Sequence, residues 1–144
     1  MSSIEPRGPE IERLEAFVGD WTLEVPFATG VRATCSFEWL AGERFLVQRW
    51  EVDVPEAPDG IAIIGFDADK GRYAQHYFDS RGIARLYEMS FEDGVWKLWR
   101  DWPGFSQRYE GTFSADGNTI EGSWEISTDD ATWEKDFDLT YRRV

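Results

Sequence analysis

The chain has 144 residues, enough for one domain with a real core, and its 28 acidic against 15 basic residues leave a net charge of −13. A field of that sign repels phosphate backbones and anionic lipid heads, so nucleic acid and membrane surfaces are excluded as natural partners. Ten Phe, eight Trp and five Tyr make the chain rich in ring surface, which implies a heavily aromatic core or a stacking wall for a ligand.

Residues 1–8 are polar, with Pro6 and Gly8, and are expected to be a loose, flexible segment ahead of a single domain over 9–144. Gly8-Pro9 opens a short helix, with Pro9 at the first helical position. Ile11, Leu14 and Phe17 or Val18 give it one apolar stripe, Glu10 and Glu12 sit in its first turn, and Gly19 ends it. A helix this short is not stable alone, so its stripe is expected to close one end of a barrel. Met1 to Glu15 holds no apolar run of the signal-peptide kind, and no stretch approaches the length of a membrane span, which makes a soluble cytoplasmic protein the expectation.

From Trp21 the period changes to two, with Trp21, Leu23, Val25 and Phe27 alternating against Thr22, Glu24 and Pro26. Turn signals then recur every 8–12 residues or so, the mark of an all-β sandwich or barrel. Ten strands are expected, near 20–27, 31–40, 44–54, 60–66, 72–79, 83–91, 95–102, 106–114, 118–127 and 131–143. Short, hairpin-like connections favour an up-and-down antiparallel meander, and closing it into a barrel removes exposed edges. The single cysteine, Cys35, forms no internal disulfide and reads as a small buried hydrophobe. Several later strands show one inward face: Trp96, Leu98, Arg100 and Trp102; Gln107, Tyr109 and Phe113; Ile120, Trp124 and Ile126; Trp133, Phe137, Leu139 and Tyr141.

The fifth strand, Arg72 to Asp79, carries the only histidine. Alternation places Ala74, His76 and Phe78 on one face and Tyr73, Gln75, Tyr77 and Asp79 on the other. Both faces mix ring carbon with hydrogen-bonding groups, which suits a wall around a partly polar cavity. His76 is a candidate acid–base group or ligand contact, or else a histidine that is hydrogen-bonded in the wall or turned to solvent. Arg100 shares its face with large apolar residues, so its guanidinium needs a partner: Glu88, Asp79 or a ligand carboxylate. Gln48, Gln75, Gln107, Tyr87, Tyr109 and Trp124 complete the candidate wall, each able instead to satisfy a backbone group or fill the core. The aromatic run Trp99 to Phe105 ends in a turn and belongs to core packing at the rim. One His and one Cys do not build a zinc site, and Asp67-Ala68-Asp69-Lys70-Gly71 reads as a hairpin turn lacking the later ligands of a calcium loop.

Gly19-Asp20-Trp21 after a short helix resembles the G-x-W opening of the calycin barrels: lipocalins, fatty-acid-binding proteins and nitrobindins. A wider set of residues resembles a bacterial lipocalin-like family, the DUF1579-like proteins. It comprises Leu14 to Trp21, Phe37 to Leu46, Gly65-Phe66-Asp67, Tyr73, Phe78-Asp79-Ser80 and Leu139 to Arg143. This resemblance implies a ten-stranded calycin-type barrel. Nitrobindins bind ferric haem through a histidine on the C-terminal strand, where this chain has Lys135, Asp136 and Phe137. The expectation is therefore no cofactor, with haem disfavoured.

Three functions fit such a barrel: binding of a small hydrophobic or aromatic ligand, an enzyme such as a cyclase or isomerase of a hydrophobic metabolite with His76 or a Tyr moving a proton, and a nitrobindin-like haem protein. The first is the leading expectation, because ligand sites combine an apolar lining with a few placed polar groups. The chain is also compatible with a homodimer.

Overall fold

The alternating stretch beginning at Trp21 folds into ten antiparallel strands. They are β1 (Gly19–Glu24), β2 (Ala33–Trp39), β3 (Leu46–Val52), β4 (Gly60–Asp67), β5 (Arg72–Asp79), β6 (Ala84–Glu92), β7 (Val95–Arg100), β8 (Ser106–Phe113), β9 (Thr119–Ser127) and β10 (Glu134–Arg143). The structure, a computed structural model, describes residues 6–144. Each strand pairs with the next in sequence and β10 pairs back onto β1, so the sheet is a closed up-and-down barrel. Closure leaves no strand edge exposed. Among the described residues no helix is long and apolar enough to cross a membrane.

The N-terminal segment plugs one end of the barrel. Its helix is shorter than its apolar stripe suggests: α1 spans Pro9–Arg13 and gives way to a 3-10 turn over Leu14–Phe17. Side chains take the carbonyls that a longer helix would have used, since Trp21 Nε1 donates to Phe17 O at 2.9 Å and Arg143 donates to Ala16 O and Val18 O. Leu14 and Phe17 are fully buried, and the Phe17 ring lies about 5 Å from those of Phe37, Phe91, Trp96 and Phe113. Tyr73 Oη donates to Glu10 O at 2.5 Å and Trp39 Nε1 to Glu15 Oε2 at 2.6 Å, fastening the plug on two sides.

The loose segment expected over residues 1–8 falls in part on residues 1–5, which lie outside the described ones. Within residues 6–8, Arg7 stacks over the Trp39 ring at 4.8 Å, and Pro6 O accepts from Arg44 Nη1 at 3.5 Å.

Three expected inward residues lie elsewhere. β1 stops at Glu24, because Pro26 has no N–H for the ladder and starts a short 3-10 turn, so Phe27 is half-exposed at the rim. Trp102 lies past the end of β7 and is 58% exposed. Trp133 precedes β10, whose register slips between Lys135 and Phe137. That bulge breaks the alternation, and Trp133 instead meets the outward-facing Arg108, whose guanidinium carbon is 4.0 Å from its ring centroid.

Candidate functional site

The two ends of the barrel are filled differently. Around Phe17 the inward side chains are interlocking rings. Toward the opposite end the inward positions carry Gln, Tyr and Arg, whose polar tips do not interdigitate as tightly. A cavity of about 460 Å³ results there, between β1, β3, β5 to β10 and the β3–β4 loop. Gln48, Gln75, Trp96 and Tyr141 reach its inner part, and Phe27, Pro58, Arg81, Phe105, Asp136 and Phe137 surround its mouth.

One wall is a ring stack. Trp50 and Tyr77 face each other at 5.3 Å and 26°, and Trp50 Nε1 donates to Pro58 O at 3.1 Å. Gly60 permits this arrangement, since a Cβ there would run into the Trp50 ring and approach Phe78 O to 2.6 Å. The ring surface continues through Tyr87, edge-on to Tyr77 at 5.9 Å, to Trp124, 5.6 Å beyond it.

The polar groups are placed in three sets. On the β6–β8 side, Gln107 Oε1 accepts from Tyr87 Oη at 3.0 Å and from Arg85 Nη1 at 3.1 Å. Deeper, Gln48 Nε2 donates to Tyr141 Oη at 3.3 Å and Cys35 Sγ at 3.5 Å. Burial pushes the Cys35 thiol up to about 12, so it stays protonated and unreactive. Near the mouth, Tyr77 Oη donates to Asp79 Oδ2 at 2.6 Å, and Arg81 Nη2 donates to the same oxygen at 2.7 Å. Burial raises the phenols of Tyr77 and Tyr87 above their usual value, which keeps both as donors.

Burial of Asp79 alone would raise its pKa, but the bonds from Arg81 and Tyr77 outweigh it and bring the carboxyl down to about 2. A carboxylate whose pKa is lower folded than unfolded contributes stability that is complete above the unfolded value, near 4, and lost as pH falls through the folded one. Urea midpoints should therefore fall more steeply between about pH 4 and 2 in the parent chain than in Asp79→Asn; parallel slopes would refute the assignment.

Two buried polar atoms on the cavity lining have no protein partner among the described residues: Gln75 Oε1 and Trp96 Nε1. Their residues are only 4% and 1% exposed. An orphaned buried polar group costs about 1–3 kcal/mol. Replacing Gln75 with the similarly sized Leu should accordingly raise the stability of the ligand-free protein by about 1 kcal/mol, against the usual sign for a core substitution. Chemical denaturation measures it, and a destabilised Gln75→Leu would mean that the amide is satisfied as it stands.

The residues singled out from sequence divide cleanly. Gln48, Gln75, Tyr87, Gln107 and Trp124 line the cavity. Tyr109 does not: its ring folds across the paired Gly111 and Gly122, where any Cβ would strike it, and its hydroxyl points to Leu139 O at 3.4 Å. Arg100 is absent from the lining as well. It has neither expected partner, because Glu88 pairs with Arg72 and Asp79 with Arg81, and its guanidinium rests over the Trp102 ring at 4.8 Å. His76 is on the outer wall, exposed between Ile63 and Leu86 of the neighbouring strands. Tyr73, Gln75 and Tyr77 take the inside of β5, and period-two alternation then sends His76 outward.

Arg85, Trp50, Tyr77 and Trp96 line the cavity without having been assigned to it from sequence. Arg85 stands two residues before Tyr87 on one strand, so the assignment of Tyr87 inward carried Arg85 with it; that signal was available in the alternation.

No curated protein matches the chain. The family model described as "Protein of unknown function (DUF1579)" matches residues 6–96, from the N-terminal plug to Trp96 on β7. The match thus takes in the plug, the Trp50–Tyr77 stack, Gln75, Arg85 and Tyr87, and stops before Gln107 and the C-terminal Leu139 to Arg143. With residues 6–96 of 144 matched, the chain belongs to the DUF1579 family.

Proposed function

We propose that this barrel is a soluble, cytoplasmic binding module for a small, largely apolar or aromatic molecule. One observation carries the reading: two residues of the cavity lining, each more than nine-tenths buried, hold an acceptor, Gln75 Oε1, and a donor, Trp96 Nε1, that have no partner among the described residues. A cavity of about 460 Å³ lies within the range of small-molecule sites. The Trp50–Tyr77 stack and Trp124 supply flat apolar contact, and the interior polar atoms supply orientation.

With His76 on the outer wall, the isomerase or cyclase reading is left with Tyr77 or Tyr87 to move a proton, and burial raises both phenols, which makes them weak acids near neutral pH. Haem does not fit the residues present: His76 is exposed on the outer wall, and Cys35 is not part of the cavity lining.

Native mass spectrometry of freshly purified protein, followed by titration with apolar and aromatic compounds under tryptophan fluorescence, tests the reading. The expected result is a mass increment lost on denaturation, or saturable quenching that Trp50→Leu diminishes. No increment and no saturable quenching by any compound would overturn it.

A further inference from the structure

We propose that the ligand is an organic monoanion, an apolar or aromatic body carrying a single carboxylate-like acid, and that Arg85 receives the acid. This inference rests on the binding reading above and narrows it.

Arg85 projects from β6 into the cavity wall beside Tyr87, opposite Tyr77 in the sheet register. Its one protein hydrogen bond among the described residues is from Nη1 to the neutral Gln107 Oε1, at 3.1 Å. The same oxygen already accepts from Tyr87 Oη at 3.0 Å, so two donors share one uncharged acceptor. The flat side of the guanidinium is covered by Phe105, 5.5 Å away. Among the described residues no carboxylate lies within ion-pair distance of Arg85, in a chain of 28 acidic residues. The other arginine of this cavity, Arg81, has its own Asp79 at 2.7 Å.

A guanidinium has five donors in a planar fork that matches a carboxylate bidentately. Holding one in a partly buried wall against a single neutral oxygen leaves most of that capacity unused and its charge uncompensated. An anion arriving there gains charge-assisted hydrogen bonds that a neutral ligand of the same shape does not. Tyr87 gives its one hydroxyl proton to Gln107 at 3.0 Å, so the free donors beside the ligand are those of Arg85. Glu56 and Asp136 stand at the mouth and the exterior is strongly negative, which discriminates against polyanions and fits a single charge received by Arg85.

The test uses matched acid and amide probes of two shapes: 2-naphthoate with 2-naphthamide, and decanoate with decanamide. They are titrated by calorimetry into the full chain and into Arg85→Met. The acid of at least one pair is expected to bind the parent at least about tenfold more tightly than its amide. Arg85→Met should remove that preference while leaving amide affinity within about threefold. The acid–amide comparison in the parent stands even if the variant does not fold. Equal binding of acid and amide, or acid affinity unchanged in Arg85→Met, overturns the anion inference and leaves the binding module intact. Failure of all four probes overturns the anion inference, and the mass increment and quenching test above then decides the binding module on its own.

Discussion

Phe17→Ala should lower the stability of the barrel by about 3–5 kcal/mol, the usual cost of emptying a large aromatic site in a core. Phe17 is fully buried, and four rings stand about 5 Å from it on β2, β6, β7 and β8. Those strands are fixed by their own hydrogen-bond ladders, so the rings have little freedom to collapse into the space left behind. For a domain whose whole stability is about 5–15 kcal/mol, the loss is a large fraction, and the melting temperature should fall by roughly 10 °C. Phe27→Ala is the control, because Phe27 is 50% exposed at the mouth and meets only Phe137 among the rings; its cost should stay below about 1 kcal/mol. Calorimetry of the two variants distinguishes a plug that holds the barrel shut from a segment that merely lies on it. Similar losses in both would refute the assignment of Phe17 as the centre of the core.

The closed barrel was legible because its two signals are local and repeated. Ten alternating runs are separated by nine turn signals, and each hairpin confirms the next, so β2 through β9 lie within a few residues of where the pattern puts them. The errors sit where a single residue breaks the period: Pro26 ends β1, and the bulge before Phe137 turns Trp133 outward. The site was harder to read for a different reason. Alternation divides β5 into two faces but does not say which one is inside. His76 with Phe78 and Gln75 with Tyr77 are equally amphipathic pairs, and only closure against β4 and β6 chooses between them. The sequence therefore put His76 and Gln75 alike on the candidate wall, and of the two only Gln75 lines the cavity. Arg100 failed differently. Its place at the end of β7 let it escape sideways onto Trp102, whereas Arg85, in the body of the cavity wall, stayed inside.

Arg143→Met should cost about 2–4 kcal/mol, because it leaves several backbone carbonyls without their charged donor. Arg143 Nη1 donates to Val18 O at 2.6 Å, and Nη2 donates to Ala16 O at 2.8 Å and Gly117 O at 3.2 Å. Its guanidinium also covers the Trp21 ring at 4.2 Å. One side chain thus joins the end of the N-terminal turn, the β8–β9 hairpin and the seam where β10 meets β1, at the Trp21–Arg143 register pair. Gly19 makes room for it, having a φ of +134° and a hypothetical Cβ only 2.7 Å from Arg143 Nη1. Met keeps much of the apolar cover over Trp21 and removes only the donors, so the loss reports the hydrogen bonds. Arg143→Lys should recover less than half of it, since one ammonium does not span three carbonyls set in different directions. The latch belongs to the plugged end and touches no residue of the cavity lining, so ligand affinity measured well below the melting temperature should be unchanged in Arg143→Met. A parallel loss of affinity would mean that closure at the seam shapes the cavity, and the two ends of the barrel would then have to be treated as one cooperative unit.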